Sequence, residues 1–471
     1  MKTQNWLIKQ AELNPHRLAV SDGRVSYDFT TLLGKVKVDA SHLVNLTLQS
    51  RVGLMTKNNL QGYRLALALM SLGKTIVWLN WRLSTQELML QVDDSALDLV
   101  IVDDSLMRED FDHRYQPFTM VLNQPSVKVD LVAEFDFDKV ASIMYTSGTT
   151  GRPKGVLQTF GNHYASAIAS SLNLGLAENE EWLCVTPLFH ISGFSILMRG
   201  LIYGMTVRLM AHFDPQTVEN VLVNEPVTII SAVPYMLKQL LVQRRQSHQT
   251  YNKSFRLILL GGGTIDLATL KACQAAQLQV VQCYGMTETC SQVIALSAQD
   301  AEKQIGSVGK PLFTTQLKLM PKTNEIAIKT PALTPGYLNY SQKYTAKFKD
   351  GWYLTGDVGH LNDAGFLFVE GRKDEMIISG GENIFPQEVE AVLQQVPGVN
   401  EVAVVGKSDP VWGQTPVAFV VGDVDTEQVI RFGRQHLAHY KVPKEIHRIK
   451  QLPRNASGKL QRFKLQMKLK K

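Results

Sequence analysis

Cysteine is scarce in this chain of 471 residues, which contains four. They are Cys184, Cys273, Cys283 and Cys290, and they form neither a CxxC pair nor a metal-ligand spacing with histidine. Disulfide frameworks and structural zinc sites depend on such spacings, so the sequence predicts neither of them. We therefore expect a protein of a reducing compartment, the cytoplasm.

Long apolar runs and a strong charge of one sign are also missing. No segment approaches the roughly 20 apolar residues that span a bilayer, and the amino-terminal segment lacks the apolar core of a signal peptide. The net charge is +6, and basic residues cluster only in the final "KLQRFKLQMKLKK", which we interpret as a solvated tail. The sequence thus predicts a soluble protein that neither binds nucleic acid nor inserts stably into membranes.

Apolar residues, by contrast, make up 45% of the chain, and the chain is long enough for more than one core. From residue 51 onward, short runs rich in Val, Ile and Leu alternate with amphipathic stretches, which is typical of parallel sheets with crossover helices. After residue 311, shorter strands with turn residues indicate a small antiparallel, barrel-like subdomain. The predicted fold class is α/β.

A second change of pattern indicates a domain boundary. The segment "GRKDEMIISGGENIFPQEVEAVLQQVPGVNEVAVVG" has the pattern of a strand, a glycine turn, a helix and another strand. The α+β pattern continues to the carboxyl terminus over about a hundred residues, the size of an independent domain. We expect a large amino-terminal domain at residues 1–373 and a small α+β carboxyl-terminal domain at 374–471.

The stretch "YTSGTTGRPKG", residues 145–155, combines hydroxyls, glycines and a lysine after an apolar run. It is not the GxxxxGK[ST] phosphate loop, because Lys154 stands between Pro153 and Gly155. Hydroxyl donors, permissive glycines and a cation can nevertheless fold over a triphosphate. An ordinary surface loop is the alternative, since such clusters are common between elements. The candidate phosphate contacts, besides Lys154, are Thr146, Ser147, Gly148, Thr149, Thr150 and Gly151.

Four further stretches carry candidate functional groups. His190 in "PLFHISG" is predicted at a strand-to-helix transition, where side chains face a cleft at the carboxyl end of a sheet. Glu288 in "CYGMTETCS" suits a Mg²⁺ ligand, and Asp357 in "YLTGD" suits a ribose diol. Lys459 lies in "PRNASGKLQR" near the end of the chain. Taken singly, such a histidine is usually structural and such a lysine usually solvated.

In this order, "YTSGTTGRPKG", "YGMTE", "TGD", "GRKDEMIISGGENIFPQEVE" and "PRNASGKLQR" resemble the core motifs of the adenylate-forming superfamily, which includes acyl-CoA synthetases. The resemblance extends along nearly the whole chain. It implies that a carboxylate attacks the α-phosphorus of ATP to give an acyl-adenylate and pyrophosphate, after which a thiol displaces AMP. The implied cofactors are ATP, CoA and Mg²⁺.

The resemblance also implies a role for each motif. Lys459 would bridge the carboxylate and the α-phosphate, Glu288 would share Mg²⁺ with the phosphates, and Asp374 would be the hinge of a mobile carboxyl-terminal domain. The thiol tunnel would be walled by Gly380 and Gly381. The remaining residues implied to bind ATP are Tyr284, Gly285, Met286, Thr287, Asp357 and Arg372.

The segment "FHISGFSILMRGLIYGMTVRLM" resembles o-succinylbenzoyl-CoA synthetases of menaquinone biosynthesis in particular. That resemblance implies o-succinylbenzoate as the substrate, with His190 beside the reacting carboxylate and Ser192 and Arg199 near the aromatic one. An outward-facing helix arginine is the alternative for Arg199. The other residues implied to line the acyl pocket are Gly261, Gly262, Gly263, Thr287 and Gln292.

Two other functions stay open at this point. The chain could ligate another aromatic or medium-chain acid to CoA, or it could be a stand-alone adenylation enzyme that loads a carrier protein. No carrier-like segment follows the ligase motifs, which disfavours the second. The sequence is compatible with a homo-oligomer.

Overall fold

The computed structural model describes residues 1–146, 153–263, 265, 267–454 and 460–469. By its contacts the chain divides into two compact units. The first consists of Met1–Leu317 and Lys329–Gly351, and the second of Lys318–Ile328 and Trp352–Lys471. The mixed α/β class predicted from the sequence is confirmed. The proposed boundary between residues 373 and 374 falls inside the second unit and stays a prediction.

The first unit contains a six-stranded sheet in which every neighbouring pair is parallel except one. The exception is an antiparallel hairpin at the edge, because the second strand of the hairpin follows the first after a short loop. The sequence pattern did not predict that second strand, Lys154–Thr159. In spatial order the strands are Lys154–Thr159, Val140–Thr146, Thr75–Trp78, Arg51–Met55, Val100–Val102 and Tyr115–Pro117.

A second sheet of the first unit is parallel in its centre and antiparallel at its ends. Its strands are rich in Val, Ile and Leu on both faces, as expected for parallel strands covered by helices. In spatial order they are Ser307–Pro311, Ser291–Leu296, Val280–Met286, Leu257–Leu260, Ile229–Ala232, Glu181–Cys184, Thr206–Leu209, Leu18–Ser21 and Ser26–Asp28. Lys2–Gln4 and Glu134–Asp136 form a separate pair.

The helices of the first unit begin at side-chain caps in many cases. The Asn59 side chain, for example, accepts a hydrogen bond from the Gly62 backbone at 2.7 Å and starts the helix Leu60–Ser71. Gly73, with φ +72°, follows the end of that helix. The helices are Trp6–Leu13, Phe29–Leu43, Leu60–Ser71, Thr85–Asp94, Phe118–Leu122, Phe160–Leu174, Ile191–Tyr203, Pro215–Asn224, Pro234–Ser247, Leu267–Ala275, Ala298–Ala301 and Ser341–Thr345.

The core of the first unit packs one helix against strands of both sheets. Phe194, on the helix Ile191–Tyr203, lies 5.1 Å from Trp78 of the first sheet, measured between ring centroids. The same buried cluster includes Cys184 and Val207 of the second sheet. This central helix therefore has little freedom to move, and it carries two of the candidate substrate contacts, Ser192 and Arg199.

The second unit combines antiparallel strands with a small α+β sheet. Trp352–Leu361 pairs antiparallel with Glu325–Lys329 and with Leu367–Arg372. The five-stranded sheet has Glu382–Ile384, Ile377–Ser379, Gly413–Gly422 and Val399–Asp409 in that order, with Glu445–Arg448 added beside Gly413–Gly422. Its helices are Pro386–Leu393, Thr426–His436 and Arg462–Lys468. Two short strands, Gln316–Leu319 and Phe348–Lys349, lie near the points where the chain passes between the units.

The basic segment predicted as a solvated tail is a helix in its described part, with Lys464 and Lys468 exposed to solvent. Residues Arg462–Lys468 form a helix whose Leu465 is fully buried against Val405, Phe419 and Leu452. One buried leucine and one paired arginine on the same face are enough to hold a short basic helix against the sheet. None of the helices in the described ranges has the length and apolarity needed to cross a membrane.

Candidate active site

The hydroxyl-rich loop closes the edge hairpin of the six-stranded sheet. Thr146 at the end of one strand is the register partner of Lys154 at the start of the next. The predicted phosphate contacts Ser147, Gly148, Thr149, Thr150 and Gly151 lie outside the described residues. A loop that joins two antiparallel strands differs from the usual phosphate loop, which joins a strand to a helix.

A turn at residues 334–338 connects the base of this loop with Glu288. The Tyr337 hydroxyl donates to Glu288 Oε1 at 2.8 Å, and the Thr334 backbone donates to the Glu288 carbonyl at 2.7 Å. The Lys154 Nζ lies 5.4 Å from the centroid of the Tyr337 ring, a cation–π distance. Thr334 and Tyr337 were not among the site residues predicted from the sequence. The available signal was "TPGYLN", a Pro-Gly turn followed by an aromatic residue.

Glu288, the candidate metal ligand, belongs to no protein metal cluster within the described residues. Over the described ranges, no group of three or more His, Cys, Asp or Glu side chains is arranged to hold a metal ion. Mg²⁺ is usually bound by one or two carboxylates, waters and the phosphates of a substrate. Glu288 is a single half-buried carboxylate, and the loop that ends at the positively charged Lys154 lies next to it. It therefore fits a Mg²⁺ that is shared with a nucleotide.

The strand Val280–Met286 presents the predicted nucleotide contacts Tyr284, Gly285, Met286 and Thr287 at its end. A Cβ at Gly285 would lie 2.0 Å from the Ser291 carbonyl oxygen, so the close approach of the returning strand requires glycine. The Gln158 side chain donates to the Thr287 carbonyl at 3.0 Å. The edge hairpin therefore holds this strand end in place.

His190 is the residue before the central helix Ile191–Tyr203, at the predicted strand-to-helix transition. Burial, with a smaller contribution from the positive charge of Arg82, lowers the pKa of His190 to about 4. The Nε2 atom of His190 is buried and has no hydrogen-bond partner within the part of the chain that the structure describes. A neutral imidazole with a free nitrogen can donate a hydrogen bond to a ligand atom.

Arg199 lies on the same helix and is only 2% exposed, so the alternative of an outward-facing arginine is wrong. Its Nη2 donates to Ser291 Oγ at 3.1 Å and to Gln292 Oε1 at 3.3 Å. The guanidinium carbon is 5.0 Å from the centroid of the Trp182 ring. Burial lowers the pKa of Arg199, and no carboxylate among the described residues pairs with it. A buried cation without an anionic partner is costly for the folded protein and favours an anionic ligand.

Four other predicted pocket contacts are Gly261, Gly262, Gly263 and Ser192. Gly261 follows the strand Leu257–Leu260, and a Cβ there would be 3.4 Å from the Cys283 sulfur. Burial raises the pKa of Cys283 to about 12, and the positive charge of Arg199 opposes that rise. Ser192 is exposed, stands two helical turns from Arg199, and is absent from its hydrogen bonds. Gly262 and Gly263 continue from Gly261 and are exposed.

In the second unit, Asp357 and Arg372 lie directly opposite each other on paired strands. The Arg372 Nε is 2.9 Å from the Asp357 Oδ1, and the Arg372 Nη1 donates to the Thr355 carbonyl at 3.1 Å. Asp357 lies within the strand Trp352–Leu361 rather than after a turn, because Gly356 adopts φ +82° without ending the strand. The structure thus brings the two predicted ribose contacts together.

Gly380 and Gly381 form the turn of a hairpin in which Ser379 pairs with Glu382. Their φ values are +59° and +88°, as two-residue hairpin turns demand. A Cβ at Gly380 would lie 2.7 Å from the Trp412 ring, whereas one at Gly381 would meet no atom of the described chain within 4 Å. Asp374 is exposed on the short helix Lys373–Glu375. The predicted catalytic residue Lys459 lies outside the described residues.

The fold and these groups define the class of protein, an enzyme that handles a nucleotide and an organic acid. Residues 7–338 match the family model of the AMP-binding enzyme, and residues 388–459 match the AMP-binding enzyme C-terminal domain. This chain therefore belongs to the AMP-binding enzyme family.

Several known proteins are similar to this chain over nearly its whole length. A 2-succinylbenzoate–CoA ligase of Listeria monocytogenes serotype 4b is 42% identical over 465 residues, covering 98% of both chains. One from Geobacillus kaustophilus is 43% identical, covering 98% of this chain and 97% of its own. The solved o-succinylbenzoate CoA synthetase from Bacillus subtilis, in complex with the acyl-adenylate intermediate OSB-AMP, is 38% identical with a TM-score of 0.94, covering 99% of this chain and 98% of that one.

Proposed function

We propose that this chain is the ligase that converts o-succinylbenzoate, ATP and CoA into o-succinylbenzoyl-CoA, AMP and pyrophosphate through an acyl-adenylate, in menaquinone biosynthesis. Its similarity to 2-succinylbenzoate–CoA ligases over the full length supports this activity. The structural observation that carries the choice of acid is the buried Arg199. The substrate has a second carboxylate that does not react, and Arg199 is a buried cation that needs an anion.

The first half-reaction places a carboxylate next to the α-phosphate of ATP, so it depends on charge neutralisation and alignment. We propose that the loop at residues 146–151, with Lys154 at its base, holds the β- and γ-phosphates. Glu288 would hold Mg²⁺, which when bound neutralises phosphate charge. Lys459 would hold the attacking carboxylate oxygen and the α-phosphate oxygen together, where negative charge concentrates.

His190 would place the reacting carboxylate. Because its pKa is near 4, the ring is neutral at pH 7 and keeps one N–H to donate. A neutral donor holds the carboxylate without forming an ion pair, and the carboxylate stays nucleophilic. Burial of the ring also excludes water, which would otherwise compete for the activated acyl group.

The acyl pocket would use the groups around Arg199. Gln292 accepts one guanidinium hydrogen bond and is itself held through its Nε2 by Ser170 Oγ at 3.2 Å, which fixes the guanidinium plane. The aromatic carboxylate would contact Arg199 directly or through a water. Gly261, Gly262 and Gly263 leave room for a planar ring. Ser192, which is exposed, would contribute at the entrance.

In the second unit, Asp357 would accept hydrogen bonds from the ribose hydroxyls, with Arg372 fixing its carboxylate. Asp374 would be the hinge on which residues 374–471 rotate between the half-reactions. Gly380 and Gly381 would then line the path of the CoA thiol, since a turn without side chains admits a close approach of the pantetheine chain.

A substrate panel tests the activity. With ATP, CoA and Mg²⁺, the purified protein should form a thioester fastest with o-succinylbenzoate and more slowly with benzoate or medium-chain fatty acids. A preference for one of the other acids would contradict the proposed substrate. A parallel reaction with a pantetheinylated carrier protein in place of CoA should be slower, and a faster one would contradict CoA as the acceptor.

A bulky residue at position 381 should separate the two half-reactions. Gly381→Phe should leave pyrophosphate release from ATP within about twofold and slow thioester formation at least about tenfold, because the ring would occupy the thiol path. Gly365→Phe is the matched control, because Gly365 also has positive φ (+78°) and a Cβ there would meet no atom of the described residues within 4 Å. If both variants slowed the thioester step equally, position 381 would have no specific role.

A further inference from the structure

The arginine that follows the proposed catalytic segment joins three parts of the second unit. Arg462 Nη1 donates to Glu375 Oε2 at 2.9 Å, and its Nη2 donates to both carboxylate oxygens of Glu390, at 2.8 and 2.6 Å. Glu375 is on the short helix that holds Asp374, and Glu390 is on the helix Pro386–Leu393. We call this group the Glu375–Arg462–Glu390 triad.

The triad is largely shielded from water, which distinguishes it from ordinary surface ion pairs. The side chains of Arg462 and Glu390 are 13% and 15% exposed, and that of Glu375 is 26% exposed. Glu390 also accepts a hydrogen bond from the Val404 backbone at 2.7 Å. Nη2 bonds both Glu390 oxygens while Nη1 bonds Glu375, so these charge-assisted contacts fix the relative positions of the elements that carry them.

The chain on both sides of residues 455–459 is also anchored. Arg454 and Leu460 form an antiparallel bridge, and the Gln461 backbone donates to the Pro453 carbonyl at 2.8 Å. Beyond them, Leu465 is fully buried. Arg462 follows Lys459 closely in the sequence. Its side chain also contacts the short helix Lys373–Glu375, which contains Asp374.

We propose that Arg462 is a positioning residue for adenylation. Through the triad it makes the turn at Asp374 and the segment that carries Lys459 move as one body, so that rotation at the hinge delivers the lysine in a defined position. This inference depends on the proposed roles of Lys459 and Asp374. It predicts an effect on the rate of acyl-adenylate formation, and none on the affinity for either substrate.

A double-mutant comparison tests it. Arg462→Met should lower kcat for acyl-adenylate formation by about 10²-fold, the typical cost of a small misplacement, with KM for the acid and ATP unchanged. In a Lys459→Ala background the same change should have no further effect, because no lysine remains to be positioned. Thioester formation from preformed acyl-adenylate should stay within about twofold of wild type. Equal losses in both backgrounds would overturn the proposal, since they would indicate general destabilisation.

Two further variants keep the test decisive if Arg462→Met fails to fold. Glu375→Gln leaves the Glu390 contacts intact and should lower kcat with unchanged KM; a wild-type kcat would overturn the proposal. Arg431→Met is the matched control, because Arg431 also faces two carboxylates, Asp425 and Glu427 at 3.6 and 3.7 Å, but is 63% exposed. It should keep the wild-type kcat. Failure of the wild type to activate o-succinylbenzoate would contradict the proposed function instead, and the variants would then be compared with the acid that it does activate.

Discussion

Replacing Lys459 with alanine should slow acyl-adenylate formation on the order of 10³-fold, the upper range for loss of one transition-state donor. The reaction brings a carboxylate up to a negatively charged phosphate, and a lysine between them offsets charge that increases toward the transition state. Pyrophosphate release from ATP and o-succinylbenzoate measures this step. Thioester formation from chemically prepared acyl-adenylate should be nearly unchanged, because the lysine would act only in the first half-reaction.

Lys464→Ala is the control for the loss of a nearby basic residue. Lys464 is exposed on the helix Arg462–Lys468, and its removal should leave both half-reactions at the wild-type rate. Equal losses in the two half-reactions of Lys459→Ala would contradict the assignment, and so would unaffected pyrophosphate release.

Replacing Arg199 should separate substrate affinity from stability. Arg199→Met should raise KM for o-succinylbenzoate about 10²-fold, because loss of one partner of a buried charge pair costs about 2–5 kcal/mol. KM for ATP should change little. The free energy of unfolding without substrate should not fall, since methionine fills similar volume and removes an uncompensated buried charge. Steady-state kinetics and urea unfolding of the ligand-free protein measure the two effects.

Arg208→Met is the matched control for a buried arginine that has its own carboxylate. Arg208 is 5% exposed, and its Nε lies 2.6 Å from Glu225 Oε2. Its replacement should lower the free energy of unfolding and leave KM for o-succinylbenzoate unchanged. If Arg199→Met behaved like Arg208→Met, Arg199 would be a structural residue and the acyl pocket would need another anchor.

The periodic spacing of apolar residues in the sequence predicted individual helices and strands well. The stretch "SGFSILMRGLIYG", residues 192–204, corresponds to the helix Ile191–Tyr203, and "LQVVQCYG" ends on the strand Val280–Met286. These predictions succeed because helix and strand periods are local properties of the chain. The hairpin strand Lys154–Thr159 was missed because the Gly- and Pro-containing loop before it obscured the short alternating pattern.

Local sequence patterns could not predict contacts between residues that lie far apart in the chain. Tyr337 and Glu288 are 49 positions apart, and Arg199 and Gln292 are 93 apart. Arg199 and Gln292 were both named from resemblance, but only the fold places one beside the other. Tyr337 was not named, since "TPGYLN" indicates a turn followed by an aromatic residue but does not identify the partner of the tyrosine. The anchoring of Arg462 likewise depends on partners 87 and 72 positions away.

The sequence by itself determined the family, the order of the motifs and the chemistry that they imply. Each motif is a short stretch of chain, such as a hydroxyl-rich loop, a glycine turn, or a lysine or carboxylate at a fixed place in the order, so it can be recognised without knowledge of the fold. Tertiary structure alone decided that Arg199 is buried with no carboxylate partner among the described residues, that Tyr337 holds Glu288 and that the described part of the basic tail is a packed helix. The physical reason is that burial and pairing depend on which elements pack together. A charged side chain has the same sequence context whether water or a protein core surrounds it, and only packing determines its partners.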